Sequence, residues 1–216
     1  MGCSDGAPRI AGDLTTEDWF TREELLKGNA ASADDWQKAV NDFFKERVRK
    51  RYLNPIGNLQ NGDGEGEGFA IVTIQCALIE FLAALRKGAI YEFHEPDNAK
   101  HEYNDSRKLF VDFLRNTPPF SESFSRKQAE EFYSSIRCGL LHEAQSKGGW
   151  RIRNVGLLPV DHDTKTLNRD SFHRIIETYI DKYVEEIKTS KDRQDAFIRK
   201  FNHICKTAQK APRQAQ

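Results

Sequence analysis

Cysteine is scarce in this sequence, and neither sign of charge is in excess. The four cysteines at positions 3, 76, 138 and 205 form no CxxC pair, which argues against a disulfide framework and a cysteine-based zinc site. Lys and Arg number 33, as do Asp and Glu, so no chain-wide field attracts a polyanion. The first ten residues lack the apolar core of a secretory signal. We therefore expect a cytoplasmic protein with reduced thiols.

Long hydrophobic runs are equally rare, and the chain has one, from Phe69 to Leu85. A transmembrane helix usually needs ~20 apolar residues, which is more than this run supplies. Gln75 and Glu80 also interrupt it, and a carboxylate is costly in lipid. The run predicts a buried core helix and no membrane association.

Elsewhere apolar residues recur at three- and four-residue spacing, which is typical of helices with one buried face. Helices are predicted at about 16–27, from about 34 to Asn54-Pro55, and at about 69–86, 105–115, 125–145 and 170–187. Thr16 is the expected cap of the first helix, Asp170 or Ser171 that of the last, and Asn54-Pro55 should end the second. The segment 150–170 predicts a hairpin. The expected fold is all-α, a helical bundle with one short β-hairpin before the last core helix.

Composition divides the chain into three parts. We expect an N-terminal extension at 1–33, the helical domain at 34–188, and a basic C-terminal helix or tail at 189–216. From Lys188 onward the chain carries eight Lys or Arg and two Asp or Glu. A solvated face is the first interpretation of this tail and RNA contact the second.

The stretch Glu130–Trp150 contains the most informative residues. At 100° per residue, Arg137, Cys138, Leu141 and His142 fall opposite the apolar arc of their helix. An imidazole can take and return a proton near neutral pH, and a guanidinium stabilises charge on a phosphoryl group. His142 as general acid/base and Arg137 as phosphate stabiliser could therefore cleave RNA without a metal. By spacing alone, an ordinary surface pair remains the alternative.

The six residues from Arg137 to His142, Arg-Cys-Gly-Leu-Leu-His, resemble the Arg-x4-His motif of the HEPN family (higher eukaryote and prokaryote nucleotide-binding). The resemblance covers roughly residues 34–188. It implies a HEPN-like helical bundle that dimerises, so that two motifs meet in one cleft. It also implies a metal-independent endoribonuclease of toxin–antitoxin, phage-defence or RNA-processing systems. Cys138 replaces the polar residue that often follows the Arg in this family.

Glu80 and Cys138 are the supporting candidates for catalysis. Glu80 lies among apolar neighbours and needs a partner, which Arg137 or Arg86 could supply. Its role is then either direct catalysis or the orientation of Arg137. Cys138 could assist the site, and a Cys–His hydrolase using His142 is a remote alternative.

Basic residues near the motif and in the second helix are candidates for contact with RNA phosphates. They are Lys147, Arg151, Arg153, Arg47, Lys50 and Arg51. The histidines show no metal-ligand spacing, so no metal and no cofactor is expected.

The sequence thus predicts a HEPN-type endoribonuclease that leaves 2′,3′-cyclic phosphate ends. RNA and a second copy, docked through the Arg137–Gln145 face, are the expected partners, and an antitoxin or other regulatory protein is a further candidate. The alternative is a catalytically inactive HEPN-like module that binds a protein, a nucleotide or RNA. A third interpretation is a regulatory, antitoxin-type partner.

Overall fold

The structure, a computed structural model, describes residues 6–28, 31–62, 64–95, 97 and 100–210. These residues form a mostly helical protein, as predicted, with small strands added. Counting continuous helices within these ranges gives seven. They are α1 (Thr16–Lys27), α2 (33–60), α3 (Glu67–Lys87), α4 (Ser106–Asn116), α5 (126–143), α6 (Arg169–Ile187) and α7 (Lys191–Gln209).

Two of these helices contain π-helical turns. In α2 the π turns are Val40–Lys45 and Arg49–Leu53, separated by Glu46–Val48 and flanked by Ala33–Ala39 and Asn54–Gln60. In α5 the π turn Tyr133–Arg137 lies between Arg126–Phe132 and Cys138–Glu143. A short 3-10 turn, Phe120–Glu122, precedes α5.

Strand content exceeds the single predicted hairpin. Strands β1 (Arg9–Ala11) and β2 (Leu14–Thr15) pair antiparallel, and β3 (Ile90–Tyr91) and β4 (Glu102–Tyr103) pair parallel. The predicted hairpin region forms a three-stranded sheet of β5 (Arg151–Arg153), β6 (Val160–Asp161) and β7 (Thr166–Asn168) in the order β5-β7-β6. Only β6 and β7 form a hairpin, since β5 runs parallel to β7. Strands of two or three residues are too short to show the alternation that identifies a strand in sequence.

Helix α3 lies at the centre of the fold. It contacts α2, α4, α5, α6 and α7 and the strand β5. By length and composition it would suit a membrane, yet 56% of its apolar window is buried inside the protein. Its two interrupting polar residues both bond within the fold, because Gln75 donates to the Arg169 carbonyl at 2.8 Å and Glu80 accepts from Ser106. The structure therefore agrees with the predicted core helix.

The two ends of the described chain belong to the same hydrophobic core as the central helices. Trp19 of α1 is fully buried, and its ring lies 5.0 Å from that of Phe201 on α7. The Trp19 indole also donates to Asn202 at 2.7 Å. Phe197 and Phe201 make one face of α7 a core face, so the predicted solvated tail is wrong for this side of the helix.

Three predicted helix boundaries need correction. Thr15, not Thr16, caps α1, and Asn168, rather than Asp170 or Ser171, caps α6 because its side chain accepts from both of those backbone amides. Helix α2 continues through Pro55 to Gln60. A π turn just before the proline explains this, since the Asn54 amide already donates to Arg49, five residues earlier, so the ladder is shifted where the proline lacks its donor.

Candidate functional site

A surface groove between α3, α5 and the β3–β4 pair contains the charged residues that the sequence singles out in α3 and α5. This α3–α5 groove has a cavity volume of about 350 Å³. Most of its walls are alanine, cysteine and aromatic side chains. The aromatic members are Phe81, Tyr91 and Tyr103, and the lining residues of other types are Thr73, Glu80, Arg137, Leu141 and Lys200.

Glu80 and Arg137 form an ion pair on the wall of the groove. Arg137 Nη2 donates to Glu80 Oε2 at 3.1 Å, and each side chain is 19% exposed. Ser106, the first residue of α4, donates to the other Glu80 oxygen at 2.6 Å. Both carboxylate oxygens are therefore engaged, and Glu80 holds Arg137 in place.

The Arg137 guanidinium also lies over the Tyr133 ring, 5.2 Å from its centroid, in cation–π geometry. Burial by itself would lower the pKa of Arg137, but Tyr133 and Glu80 outweigh it and raise the pKa. The group is a permanent cation at the edge of an apolar groove. Such a cation is suited to stabilise negative charge on a phosphate.

The local fold of α5 positions Arg137. The π turn Tyr133–Arg137 ends at this residue, and the Cys138 amide donates to Tyr133, five residues earlier. π turns are rare in proteins, but those that occur are often found at functional sites. Gly139 follows, and a Cβ on it would stand 2.5 Å from the Gln145 carbonyl oxygen. This glycine therefore allows the chain to fold back over the helix after His142. There the backbone amide of Lys147 donates to the Ser135 carbonyl at 2.8 Å.

His142 is exposed near the end of α5, outside the residues that line the groove. Among the described residues, no hydrogen bond or ion pair connects it with Arg137 or with any other group. Leu141, in contrast, lies on the groove and is 55% exposed. The structure therefore joins Glu80 to Arg137 and leaves His142 outside the groove on open surface.

Cys138 is half-buried and packs against the hydrophobic core. Burial raises the pKa of the nearby Tyr133, and Cys138 adds to this rise. Within the described residues, no hydrogen bond joins its thiol to His142, so the Cys–His pair has no support in the geometry.

The candidate RNA-binding residues divide into two groups. Arg151 and Arg153 are exposed on β5, and Lys147 faces Glu143 at 3.6 Å. Arg47 and Arg51 instead donate to the Ile10 carbonyl at 2.5 and 3.4 Å, and Lys50 pairs with Glu46 at 3.1 Å. Arg47 and Arg51 therefore bond to β1, and Lys50 pairs within its own helix, which a count of charges does not reveal.

The sequence argument missed Tyr91, Tyr103 and Lys200, which line the groove, and Ser106, which bonds to Glu80 from α4. Ser106 and Tyr103 come from segments whose approach to α3 has no local pattern. Lys200 had a usable pattern, because it lies at helical spacing within the apolar set Ala196, Phe197 and Phe201 and is itself buried.

Among the described residues, no cluster of three or more His, Cys, Asp or Glu side chains is placed to bind a metal. No family model, no curated protein and no solved structure matches this chain. The function is therefore argued from the geometry of its own residues.

Proposed function

We propose that this protein is a cytoplasmic, metal-independent endoribonuclease of HEPN type, acting in a toxin–antitoxin or phage-defence system. The observation that carries the proposal is a fixed, charged Arg137 at the edge of a groove, with an exposed His142 later on the same helix that bonds to no other described residue. Such a pair offers the two groups that RNA cleavage needs, a proton-transfer group and a cation for the phosphate.

The reaction uses the RNA itself as nucleophile. The 2′-hydroxyl attacks the neighbouring phosphorus, the bond to the 5′-oxygen breaks, and a 2′,3′-cyclic phosphate and a 5′-hydroxyl result. His142 takes the 2′ proton or supplies a proton to the leaving oxygen. Arg137 stabilises the extra negative charge on the phosphoryl oxygens, and Glu80 positions Arg137.

A homodimer completes the site in this proposal. Leu141 is a large apolar side chain on open surface beside His142, and an exposed apolar residue of this kind favours contact with another chain. Docking two copies through their Arg137–Gln145 faces places two His142 side chains in one cleft. One can then act as the base and the other as the acid.

The test is RNA cleavage in EDTA by the wild type and by the variants His142→Ala and His94→Ala. His94 is an exposed histidine outside this helix and serves as the matched control. We expect the wild type and the control to cut with cyclic phosphate ends, and His142→Ala to lose at least about 100-fold. Equal cutting by all three proteins would mean a contaminating nuclease and would remove His142 from the mechanism.

The second candidate function is a catalytically inactive HEPN-like module. It is favoured by the compensation of Arg137 by Glu80 and by the zero net charge of the chain. In that case a folded dimer cuts none of tRNA, rRNA and mRNA, and His142→Ala leaves its partner binding unchanged. An antitoxin-type regulator would instead suppress the activity of a separate nuclease.

A further inference from the structure

The α3–α5 groove has a second basic side chain, Lys200 of α7. Unlike Arg137, it has no carboxylate partner among the described residues. Lys200 is 8% exposed and lines the groove. Its ammonium donates to the Ala89 carbonyl at 2.8 Å. In the described part of the chain, no carboxylate forms an ion pair with it.

The neighbour of Lys200 makes this burial more costly. Arg47 of α2 is a half-buried cation. Among the described residues its guanidinium bonds only to the Ile10 carbonyl, and its charge repels Lys200. An ammonium that leaves water without a counter-charge destabilises the fold. Burial and then Arg47 lower the pKa of Lys200 to about 8. The folded protein therefore places an electrostatically destabilised ammonium group beside the open α3–α5 groove.

We propose that Lys200 binds a phosphate group of the ligand that occupies the α3–α5 groove. The anion supplies the counter-charge that the protein lacks. The aromatic side chains Tyr91 and Tyr103, which meet edge to face at 5.5 Å, line the same groove and offer apolar contact to the rest of the ligand. In the proposed nuclease, on which this assignment rests, the ligand is the RNA and the group is a phosphodiester.

Five titratable groups near Lys200 have shifted pKa values, and each of them keeps its protonation state near pH 8.5. Burial, followed by Lys200 itself, lowers the pKa of His203, which is neutral there. Burial raises the pKa values of Tyr103 and Cys76, so both stay protonated. Arg137 and Arg47 stay charged, the latter with a pKa of about 10. Proton uptake on ligand binding then reports Lys200.

The test is calorimetric binding at about pH 8.5 in two buffers of different ionisation enthalpy. The probes are a 2′-O-methyl oligouridine of about five residues, which has no free 2′-hydroxyl to attack, uridine 5′-monophosphate and inorganic phosphate. Because Lys200 with a pKa near 8 is mostly neutral at this pH, we expect an uptake of about 0.7 proton per bound oligouridine. Uptake below about 0.2 proton would overturn the proposal.

Two variants separate a binding role from a structural one. Lys200→Met should bind the oligouridine at least about tenfold more weakly, take up no proton and melt at a higher temperature than the wild type, because a buried charge is replaced by an apolar chain of similar size. Lys206→Met, an exposed lysine on the same helix, should keep the uptake and bind within about twofold. Equal binding by Lys200→Met and the wild type would overturn the assignment.

The three probes also identify the source of the phosphate. Binding of the oligouridine alone indicates an RNA phosphodiester, whereas binding of all three indicates a general phosphate site. Binding of none overturns the proposal. Failure of the nuclease assay with Lys200-dependent binding intact would reject the proposed function only, and cleavage with unchanged Lys200→Met binding would reject only this inference.

Discussion

Arg137 and Lys200 are two cations of one groove, and the fold treats them in opposite ways. Arg137 has a carboxylate, Glu80, and that carboxylate has a second donor, Ser106. Lys200 has a single carbonyl and a repelling neighbour, Arg47. The comparison shows that burial alone does not define a role for a charged side chain. Among the described residues, a carboxylate balances the charge of Arg137 and none balances that of Lys200. A bound phosphate is the counter-charge that we propose for Lys200.

The largest expected effect comes from removing the partner of the paired cation. Glu80→Leu leaves the Arg137 charge and the Ser106 hydroxyl without their acceptor, and we expect a loss of about 3 kcal/mol of unfolding free energy in urea denaturation. Glu130→Leu, which breaks the exposed Arg126–Glu130 pair, should cost less than about 1 kcal/mol. The double variant Glu80→Leu, Arg137→Met should recover most of the loss. Equal losses of unfolding free energy for Glu80→Leu and Glu130→Leu would show that the Glu80–Arg137 pair contributes no more than an exposed pair.

Lys200 predicts that the unfolding free energy depends on pH, because its ammonium is buried without a carboxylate partner among the described residues. Folding lowers the pKa of Lys200 from 10.5 to about 8, so between these values the unfolded chain binds a proton that the folded chain does not. Stability contributed by Lys200 therefore rises with pH through this window. We expect the unfolding free energy of the wild type, relative to Lys200→Met, to rise by about 2 kcal/mol from about pH 8 to pH 10. Subtraction of the variant removes the opposite contribution of Cys76 and Cys205, whose raised pKa values destabilise the fold at high pH. A flat difference would show that Lys200 is not desolvated.

Leu141 extends the comparison from charged to apolar groove residues. A carboxylate in place of this exposed side chain opposes docking of two copies, so Leu141→Glu should raise the dimer dissociation constant at least tenfold, or about 1.4 kcal/mol, in sedimentation analysis. Leu25→Glu, at an exposed leucine of α1, is the control and should leave it unchanged. A dimer that tolerates Leu141→Glu would place the contact between copies elsewhere.

The smallest effects are expected for cations on open surface. Arg151 and Arg153 are exposed on β5, so changing each to Gln should weaken RNA binding only a few-fold and lower the slope of log affinity against log salt by about 1. Arg47→Gln should instead lower stability by about 1–2 kcal/mol, because it releases the Ile10 carbonyl. Salt titrations by fluorescence anisotropy separate the two cases. A slope unchanged by Arg151→Gln and Arg153→Gln would remove β5 from the RNA path.

Much of the fold followed from local pattern. The buried residues Phe132, Ile136 and Leu140 lie on the arc that their spacing predicts, and the apolar run of α3 is the central helix. The basic composition of the C-terminal segment led to the wrong prediction of a solvated tail. Helix α7 carries these basic residues, but one of its faces contains the buried Phe197 and Phe201. Apolar spacing was the better guide there, since it reports which side of a helix leaves water, and a count of charges does not.

Local sequence pattern identified only part of the candidate site. Arg137 and His142 are near in sequence and could be identified from residue type and spacing. The structure places Arg137 on the groove and His142 outside it. This difference depends on the elements that pack beside α5, so the spacing within the helix does not reveal it.

The sequence by itself determined six of the seven helices, the buried faces of the central ones and the residue types able to perform acid–base and phosphate chemistry, because these depend on periodicity within one segment. Only the tertiary structure decided which charges meet. Glu80 reaches Arg137 across 57 residues of sequence, and Lys200 enters the same groove from the C-terminal helix. Pairing of this kind depends on how helices dock, and docking is set by the packing of many side chains at once rather than by the neighbours of any one residue.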